Sequence, residues 1–183
     1  MTEVNKDTYT GASFSINNRI KRVVWNSVYT LLFRYSPRPF HSWRAFLLKL
    51  FGATVGKNVH VYPAVKIWAP WNLILNDECG IGNGAQIYNQ GQITLGYRSI
   101  ISQGVYLCAG THDYTKRGHP LVTAPIVVGA HAWVAAEAFV HPGVTIGEGA
   151  VVGARSVVVK DIPKWMVCAG NPCKPLKERL FVD

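Results

Sequence analysis

The chain has 183 residues, which is enough for one domain with a substantial core. Hydrophobic residues make up 49% of the sequence and charged residues 16%, a balance that excludes an intrinsically disordered protein. The net charge of +9 is concentrated in residues 1–54, where eight Lys and Arg accompany two acids. A basic region attracts phosphate groups, but charge alone does not distinguish a nucleic acid, an anionic lipid and a phosphorylated cofactor.

The first eleven residues are polar, unlike the apolar centre of a signal peptide. No apolar run approaches the roughly 18 residues of a membrane span. The cysteines show neither a CxxC motif nor zinc-ligand spacing, so we expect free thiols at Cys79, Cys108, Cys168 and Cys173. These features predict a cytoplasmic protein, with the inner face of the membrane as an alternative location.

Two helical stretches are predicted first along the chain. Apolar residues recur on one side of a helix over 16–35, and Ser36-Pro37-Arg38-Pro39 ends it. A second helix is predicted over 42–51, before Gly52. The segment 16–51 holds seven Lys and Arg, no acid and eight aromatic residues. This composition fits a membrane-surface element and also fits a helical cap on the open end of a repeat structure.

After the helices, an aliphatic residue recurs at every sixth position, with two short shifts and one gap. These positions are Val55, Val61, Ile67, Leu73, Leu75, Ile81, Ile87, Ile93, Leu95, Ile101, Leu107, Val128, Val134, Val140, Ile146, Val152 and Val158. A small residue often stands four positions further on, and glycine often follows the aliphatic residue directly.

A period of six fits neither a helix nor a long alternating strand. It fits a short strand and a tight turn, with three such units forming one triangular coil around stacked aliphatic side chains. We expect glycine at the turns because it tolerates unusual backbone angles. A β-sandwich, the alternative, would require strands of varied length separated by clusters of turn residues.

The period breaks at 113–127, a polar stretch with Pro and Gly that predicts a loop thrown out of a coil. Such loops often carry function. The predicted organisation is therefore a helical segment at 1–54, a β-helix at 55–165 with the excursion loop 113–127, and a C-terminal tail at 166–183.

The hexads, followed by KDIP at 160–163 and AGNPCK at 169–174, resemble the hexapeptide-repeat acyltransferases. The stretch 43–56 and the GTHDY motif at 110–114 are similar to the colanic-acid-type polysaccharide O-acetyltransferases, and the chain also looks like the galactoside and maltose O-acetyltransferases. The resemblance covers nearly all of the chain after residue 15. It implies an all-β solenoid, a left-handed parallel β-helix, assembled as a homotrimer.

The resemblance also implies an acceptor site. His112 matches the histidine that takes the proton from the acceptor hydroxyl, a role suited to a neutral imidazole. Trp133 matches a tryptophan that lies against the acceptor and the acetyl group. Asn89 is predicted to stack near His112, one coil earlier, and to bind the acceptor hydroxyl. Asp113 either orients His112 or caps the loop.

The implied co-substrate is acetyl-CoA, with no metal. By matching positions, the pantetheine arm would contact Ala136, Ala154, Val159 and Lys160, and the nucleotide would lie nearer Lys174 and Lys177. Lysines suit the phosphates of CoA. Val159 stands where the family often has threonine, so a hydroxyl contact is lost there. Backbone N–H groups near Ala135 and Ala136 are expected to stabilise the oxyanion.

The predicted function is acetyl-CoA-dependent O-acetylation of a sugar hydroxyl in a surface polysaccharide or its lipid-linked precursor. The alternatives are an amino-sugar N-acetyltransferase, a serine acetyltransferase, and a catalytically silent β-helix that serves as a membrane-surface or assembly module. A carbonic-anhydrase-type zinc site is disfavoured because none of the six histidines has another five positions away. No nucleic-acid partner is expected.

Overall fold

The hexads fold into short parallel strands that stack in three sheets around one axis, as seen in a computed structural model that describes residues 1–4, 9 and 11–180. Face 1 comprises Thr54–Val55, Leu73–Leu75, Ile93–Leu95, Ile126–Val128 and Thr145–Ile146. Face 2 comprises His60–Val61, Gly80–Ile81, Ile100–Ile101, Trp133–Val134, Val151–Val152, Met166–Ala169 and the antiparallel strand Lys174–Glu178. Face 3 comprises Lys66–Ile67, Gln86–Tyr88, Tyr106–Cys108, Phe139–Val140 and Val157–Val158. The chain visits the faces in turn, so the column is a β-helix of about six turns.

The predicted aliphatic positions form the core of this column. All seventeen are buried, and they stack in register, as where Leu75 pairs with Leu95 and Leu95 with Val128 on face 1. Each fully buried Leu, Ile or Val stabilises the fold by roughly 1.5–3 kcal/mol relative to an exposed side chain. The hexapeptide prediction of a β-helix is confirmed.

The glycines that follow the aliphatic residues have a different role from the one expected. Gly96 does not adopt a positive φ; the corner preceding the next strand is turned at Arg98, whose φ is +52°. A Cβ on Gly96 would instead lie 2.6 Å from the backbone nitrogen of Ala130 in the next coil. Glycine is therefore needed here for the close approach of two coils, and not for an unusual backbone angle.

The column also extends beyond its predicted end at residue 165. Met166–Ala169 adds a parallel strand beside Val151–Val152 on face 2, with Cys168 in the buried inward position. The chain then reverses, and Lys174–Glu178 pairs antiparallel with this strand. All four cysteines are free thiols, as predicted.

The N-terminal helices lie against the first coils. Helix α1 spans Ile16–Val28, a π-helical turn follows at Tyr29–Phe33, and helix α2 spans His41–Leu50. A three-residue 3₁₀ turn, Pro70–Asn72, precedes the second coil. The predicted first helix therefore ends earlier than residue 35, and the second begins one residue sooner than expected. No helix in the described part of the chain is both long and apolar enough to cross a membrane.

The inner side of these helices supplies hydrogen-bond donors to the open edge of the first coil. The Trp25 indole N–H donates to the carbonyl of Ile67 at 2.7 Å, and the Arg44 Nε–H donates to that of Val61 at 2.6 Å. Carbonyls at a sheet edge would otherwise lack partners within the column. The inner side of the helical segment therefore acts as a cap on the first coil.

Arg44 is fully buried and ties the turn between the helices to the column. Besides Val61, its guanidinium donates to the carbonyls of Pro37 and Arg38 and to the Ser36 hydroxyl, at 2.6–2.8 Å. Burial lowers the pKa of Arg44 from its ordinary value. The planar guanidinium fits a set of divergent carbonyls that a lysine ammonium could not satisfy together.

Candidate active site

The excursion predicted at 113–127 is a β-hairpin that leaves the column after face 3. It begins earlier than predicted, at Gly110, and the column resumes at Ile126. Gly110–His112 pairs antiparallel with Leu121–Thr123, so His112 lies opposite Leu121 at the outer end of the hairpin. A third strand, Thr2–Glu3, pairs with the other side of Leu121–Thr123. The Glu3 carboxylate also lies 2.5 Å from the Lys116 ammonium. The hairpin is therefore held as part of a three-stranded sheet.

The His112 ring has a defined orientation within this hairpin. Its Nδ1 lies 2.7 Å from the carbonyl oxygen of His119. A carbonyl only accepts hydrogen bonds, so Nδ1 carries the proton and Nε2 is the acceptor nitrogen of the neutral ring. This tautomer is the one required of a base that takes a proton at Nε2.

His119 presents its carbonyl from an uncommon backbone conformation. Its φ is +40°, in the left-handed region that residues other than glycine seldom adopt. Its backbone N–H donates to the carbonyl of Lys116, which closes a tight turn before Pro120. Residues held in such conformations often occur at functional sites.

His112 lines a cleft of about 510 Å³ between the hairpin and the column. The cleft is also lined by Glu3, Asp113, Tyr114, His141, Pro142 and Val159. The structure therefore brings His112 together with Val159, one of the residues predicted to contact the acetyl donor. Of the other residues predicted to bind the acetyl donor or the acceptor, only Asp113 lies in this cleft.

Asp113 caps the loop, the second of its two predicted roles. Its Oδ1 accepts hydrogen bonds from the Thr115 N–H at 3.0 Å and from the Thr115 hydroxyl at 2.6 Å. These hydrogen bonds lower the pKa of Asp113 from its ordinary value. The group that orients the His112 ring through Nδ1 is the His119 carbonyl.

Asn89 does not occupy the predicted acceptor position. Its side chain is fully buried, and both of its polar atoms bond to the backbone of Ala69, with Oδ1 accepting from the Ala69 N–H at 3.0 Å. Asn89 thus replaces missing ladder hydrogen bonds at the corner between face 3 and face 1. We correct the prediction by removing Asn89 from the candidate site.

Trp133 lies on the outer surface of face 2, away from the cleft that contains His112. The residue is 43% exposed, and its indole N–H donates to the Ser102 hydroxyl at 2.8 Å. Its partner in the neighbouring coil is Ile100, which is 52% exposed. Within one chain, Trp133 therefore belongs to an exposed apolar strip on face 2.

Comparisons with known proteins agree with this architecture. The family model "Bacterial transferase hexapeptide (six repeats)" matches residues 125–160. A protein from Escherichia coli strain K12 named as a colanic acid biosynthesis acetyltransferase, WcaF, is 47% identical over 170 residues, which is 93% of each chain. The chain belongs to the hexapeptide-repeat acetyltransferases.

Three further matches to acetyltransferases cover most of the chain. The galactoside O-acetyltransferase of the same strain is 32% identical over 138 residues, which cover 74% of this chain and 68% of that protein. A crystal structure of a galactoside acetyltransferase in complex with coenzyme A has a TM-score of 0.78 at 28% identity, over 91% of this chain and 84% of the other. A maltose O-acetyltransferase from Clostridium difficile 630 shares the fold, with a TM-score of 0.83 at 23% identity over 91% and 90% of the two chains.

The residues of this acetyltransferase that were predicted to contact the acetyl donor fall at two corners of the column and on its last strand. Ala136 and Ala154 stand in successive coils at the corner between face 2 and face 3, where the Arg155 N–H donates to the Ala136 carbonyl. Val159 and Lys160 follow the last strand of face 3, at the corner nearer His112. Lys174 and Lys177 lie on the antiparallel strand at the end of face 2.

The predicted oxyanion site needs a correction at Ala135. The Ala135 N–H donates to the carbonyl of Val152 at 2.9 Å, as part of the regular bonding between coils. An N–H engaged in this way cannot also stabilise an oxyanion without breaking the ladder. Ala135 is therefore removed from the predicted oxyanion site.

Sequence reasoning missed an aromatic row on the outer surface of face 3. Trp68, Tyr88, Tyr106 and Phe139 follow one another in successive coils, with ring centroids 5.0–6.3 Å apart, and Phe139 contacts His141 in the His112 cleft. Burial raises the pKa of Tyr106 to about 12, so its hydroxyl stays protonated. The signal was the outward position beside each inward aliphatic residue, which the period-six scan did not examine.

Proposed function

We propose that this acetyltransferase transfers an acetyl group from acetyl-CoA to a sugar hydroxyl, in a surface polysaccharide or its lipid-linked precursor. The observation that carries the proposal is the His112 ring, which is fixed through Nδ1 at a cleft that also contains Val159. The similar proteins named for colanic acid biosynthesis and for galactoside O-acetylation support the sugar acceptor.

His112 acts as the general base. A sugar hydroxyl is a poor nucleophile near neutral pH, and acetyl-CoA supplies the acetyl group as a thioester that needs little activation. His112 Nε2 takes the hydroxyl proton as the hydroxyl oxygen attacks the acetyl carbonyl, while the Nδ1–H remains bonded to the His119 carbonyl and keeps the positively charged ring in place. The C–S bond then breaks, and the CoA thiolate leaves as the thiol by taking the proton back from Nε2. General-base assistance of this kind typically contributes about 10²–10⁴-fold to the rate.

The exposed lysines at the end of the column fit the phosphates of CoA. Lys160, Lys174 and Lys177 are exposed, and none of the ion pairs found among the described residues involves them. Cations without carboxylate partners suit a multiply charged phosphate ligand. Arg179, by contrast, donates to the carbonyls of His131 and Gly149 and is a structural residue.

The aromatic row on face 3 suits a sugar acceptor. Next to it, a groove of about 270 Å³ is lined by polar side chains as well as rings, among them Asn26, Lys66, Trp68, Gln86 and Tyr88. Apolar ring faces with a few polar groups are typical of small-molecule sites. The row continues through Phe139 to His141, a residue that also lines the cleft containing His112.

The active unit is proposed to be a homotrimer. The exposed strip of Ile100 and Trp133 on face 2 gives the column an apolar surface that a second copy would cover. In such an assembly, Trp133 would approach the His112 cleft of a neighbouring subunit, whereas within its own chain it lies away from that cleft.

The test is turnover of acetyl-CoA with a panel of sugars, amino sugars and serine, followed by release of the CoA thiol. His112→Ala should lower kcat at least about 10²-fold with little change in the KM for acetyl-CoA. The matched control is His131→Asn, because His131 lies outside the cleft and Asn tolerates its φ of +57°.

The panel also separates the alternatives. Acetylation of sugar hydroxyls, lost in His112→Ala and retained in His131→Asn, supports the proposal. Turnover only with amino sugars or only with serine assigns the chain to the other enzyme classes. Full turnover by His112→Ala on the preferred acceptor shows that the base is elsewhere.

A further inference from the structure

The helical segment carries a second apolar surface, on the side that faces away from the column. Trp25, Tyr29 and Phe33 recur every four residues on the inner side and pack against the first coils. The opposite side is aliphatic and exposed. It includes Ile16, Ile20, Val23, Val24 and Leu31, of which Val23 is 67% and Leu31 73% exposed.

This outer apolar surface continues from α1 onto α2. One shallow groove is lined by Val23 and Leu31, and a second by Leu31, Leu32, Tyr35, Phe40 and Trp43. The Trp43 indole N–H donates to the Leu32 carbonyl at 3.1 Å, and its ring stacks on Phe46. We call the set Ile16, Ile20, Val23, Val24, Leu31, Leu32, Tyr35, Phe40, Trp43, Phe46 and Leu50 the outer helical face.

A cap does not require such a surface. The inner aromatic residues and Arg44 already complete the edge of the first coil. A helix that only covered the column would be polar on its solvent side. Contiguous exposed apolar residues on this scale mark a contact with a protein or a membrane.

The charges beside the outer helical face indicate which contact. Arg19, Arg34 and Lys49 are exposed, and the segment 16–51 contains no Asp or Glu. Lys21 and Arg38 are also exposed but lie over the rings of Trp71 and Tyr62. A second copy that docked through the same face would bring like charges together. An anionic lipid surface matches both features, because it offers phosphates to the cations and acyl chains to the apolar and aromatic side chains.

We infer that the outer helical face binds the surface of a membrane rich in anionic phospholipid, with α1 and α2 lying in the interface. Basic residues within a few ångströms of such a surface each contribute to binding, and the apolar residues enter the boundary between headgroups and acyl chains. The inference concerns binding alone and does not depend on the proposed acetyl transfer.

The experiment is co-sedimentation of the full chain with vesicles of phosphatidylglycerol and of phosphatidylcholine, without acetyl-CoA or acceptor. Binding to phosphatidylglycerol is expected at about 0.05 M salt, with at least about 10-fold weaker affinity at about 0.5 M because screening shortens electrostatic reach. Val23→Gln/Leu31→Gln should weaken binding at least about 10-fold, because two exposed apolar side chains no longer enter the lipid.

Three single variants complete the test, of which Lys57→Gln and Leu176→Gln are controls. Arg19→Gln should weaken binding, whereas Lys57→Gln, an exposed lysine on the β-helix, should not. Leu176→Gln removes an exposed leucine at the opposite end of face 2 and should bind like the unaltered chain.

Absence of phosphatidylglycerol binding, or equal binding by Val23→Gln/Leu31→Gln, overturns the inference. So does equal binding to both lipids at every salt concentration, since charge would then have no part. If Val23→Gln/Leu31→Gln instead lowers the sedimentation coefficient in the absence of vesicles, the outer helical face joins copies of the chain and the lipid assignment is wrong. An unchanged far-UV circular dichroism spectrum and an unchanged Tm of this variant show that its fold is intact.

Discussion

Replacing Gly96 by alanine tests the idea that the glycines of the repeat are required by the spacing between coils. The added Cβ would lie 2.6 Å from the Ala130 nitrogen and 2.9 Å from the Val128 carbonyl oxygen, which the Gly96 N–H itself binds at 2.7 Å. Ordinary contacts of a Cβ are 3.4–4 Å, so the two coils would have to separate locally. Neither contact can be relieved by rotating a side chain, because both are with backbone atoms.

The expected cost is at the upper end of the range for overpacked sites, about 3 kcal/mol. For a domain of this size, 1 kcal/mol corresponds to about 2–4 °C in Tm, so Gly96→Ala should lower Tm by about 6–12 °C. The matched control is Gly80→Ala. Its Cβ would meet only the His60 carbonyl oxygen, at 3.9 Å, and the loss of unfolded-state entropy should raise stability by about 0.4–1 kcal/mol.

The measurement is thermal unfolding followed by circular dichroism, at matched protein concentrations because subunit association would make Tm concentration-dependent. If Gly96→Ala melts at the same temperature as Gly80→Ala, the close-approach argument is refuted. If glycine were needed in the repeat only for a positive φ, alanine at this position would cost nothing, because the φ of Gly96 is not positive.

Two other predictions follow from the interface and from α2. Sedimentation equilibrium should give a trimer of the 20.2 kDa chain, and Trp133→Glu should dissociate it; a monomer at micromolar concentration contradicts the homotrimer. The pKa of His41 is lowered from its ordinary value of 6.5, first by burial and then by electrostatic interaction with Arg44, His60 and Arg38. Its hydrogen bond to the Val61 carbonyl acts in the opposite direction. The folded state therefore favours neutral His41, so its contribution to stability is complete above pH 6.5 and declines as the pH falls towards the lowered pKa. Urea unfolding at pH 7.5 and at pH 5.5 should show a lower free energy of unfolding at pH 5.5, and His41→Asn should reduce this difference. If both proteins lose the same free energy of unfolding between the two pH values, His41 is not the source.

The period of six was sufficient to predict the column, because inward aliphatic residues alone decide which side of each short strand is buried. Its end was harder to predict, since Cys168 fills the last inward position and a scan for aliphatic residues does not count it. The sequence showed that glycine often follows the inward aliphatic residue, but the explanation by an unusual backbone angle was wrong. Distances between coils that are far apart in sequence, such as Gly96 to Ala130, are not visible in a local pattern.

The candidate site likewise contains residues that the sequence could predict and residues that it could not. The family resemblance and the break in the period both pointed to His112, but its orienting partner, the His119 carbonyl, is a backbone group without a sequence signal. Asn89 was placed by counting one regular coil, and that count cannot show that the corner at Ala69 lacks ladder bonds and recruits the amide. To predict the aromatic row on face 3, one would have needed to know which side of each strand points outward.

Both ends of the column are edges of parallel sheets. Neighbouring coils exchange hydrogen bonds in both directions, as where Gly56 donates to Leu75 and Glu78 donates back to Lys57, so each end without a cap would present unpaired N–H and carbonyl groups. Identical columns with bare ends would be complementary and could polymerise head to tail. Arg44 and Trp25 occupy acceptors at the first coil, while at the last coil the carbonyls of Ile162 and Gly170 take the N–H groups of Gly147 and Val157. Both ends of the column are therefore capped against head-to-tail association, so further subunits associate through the faces of the column.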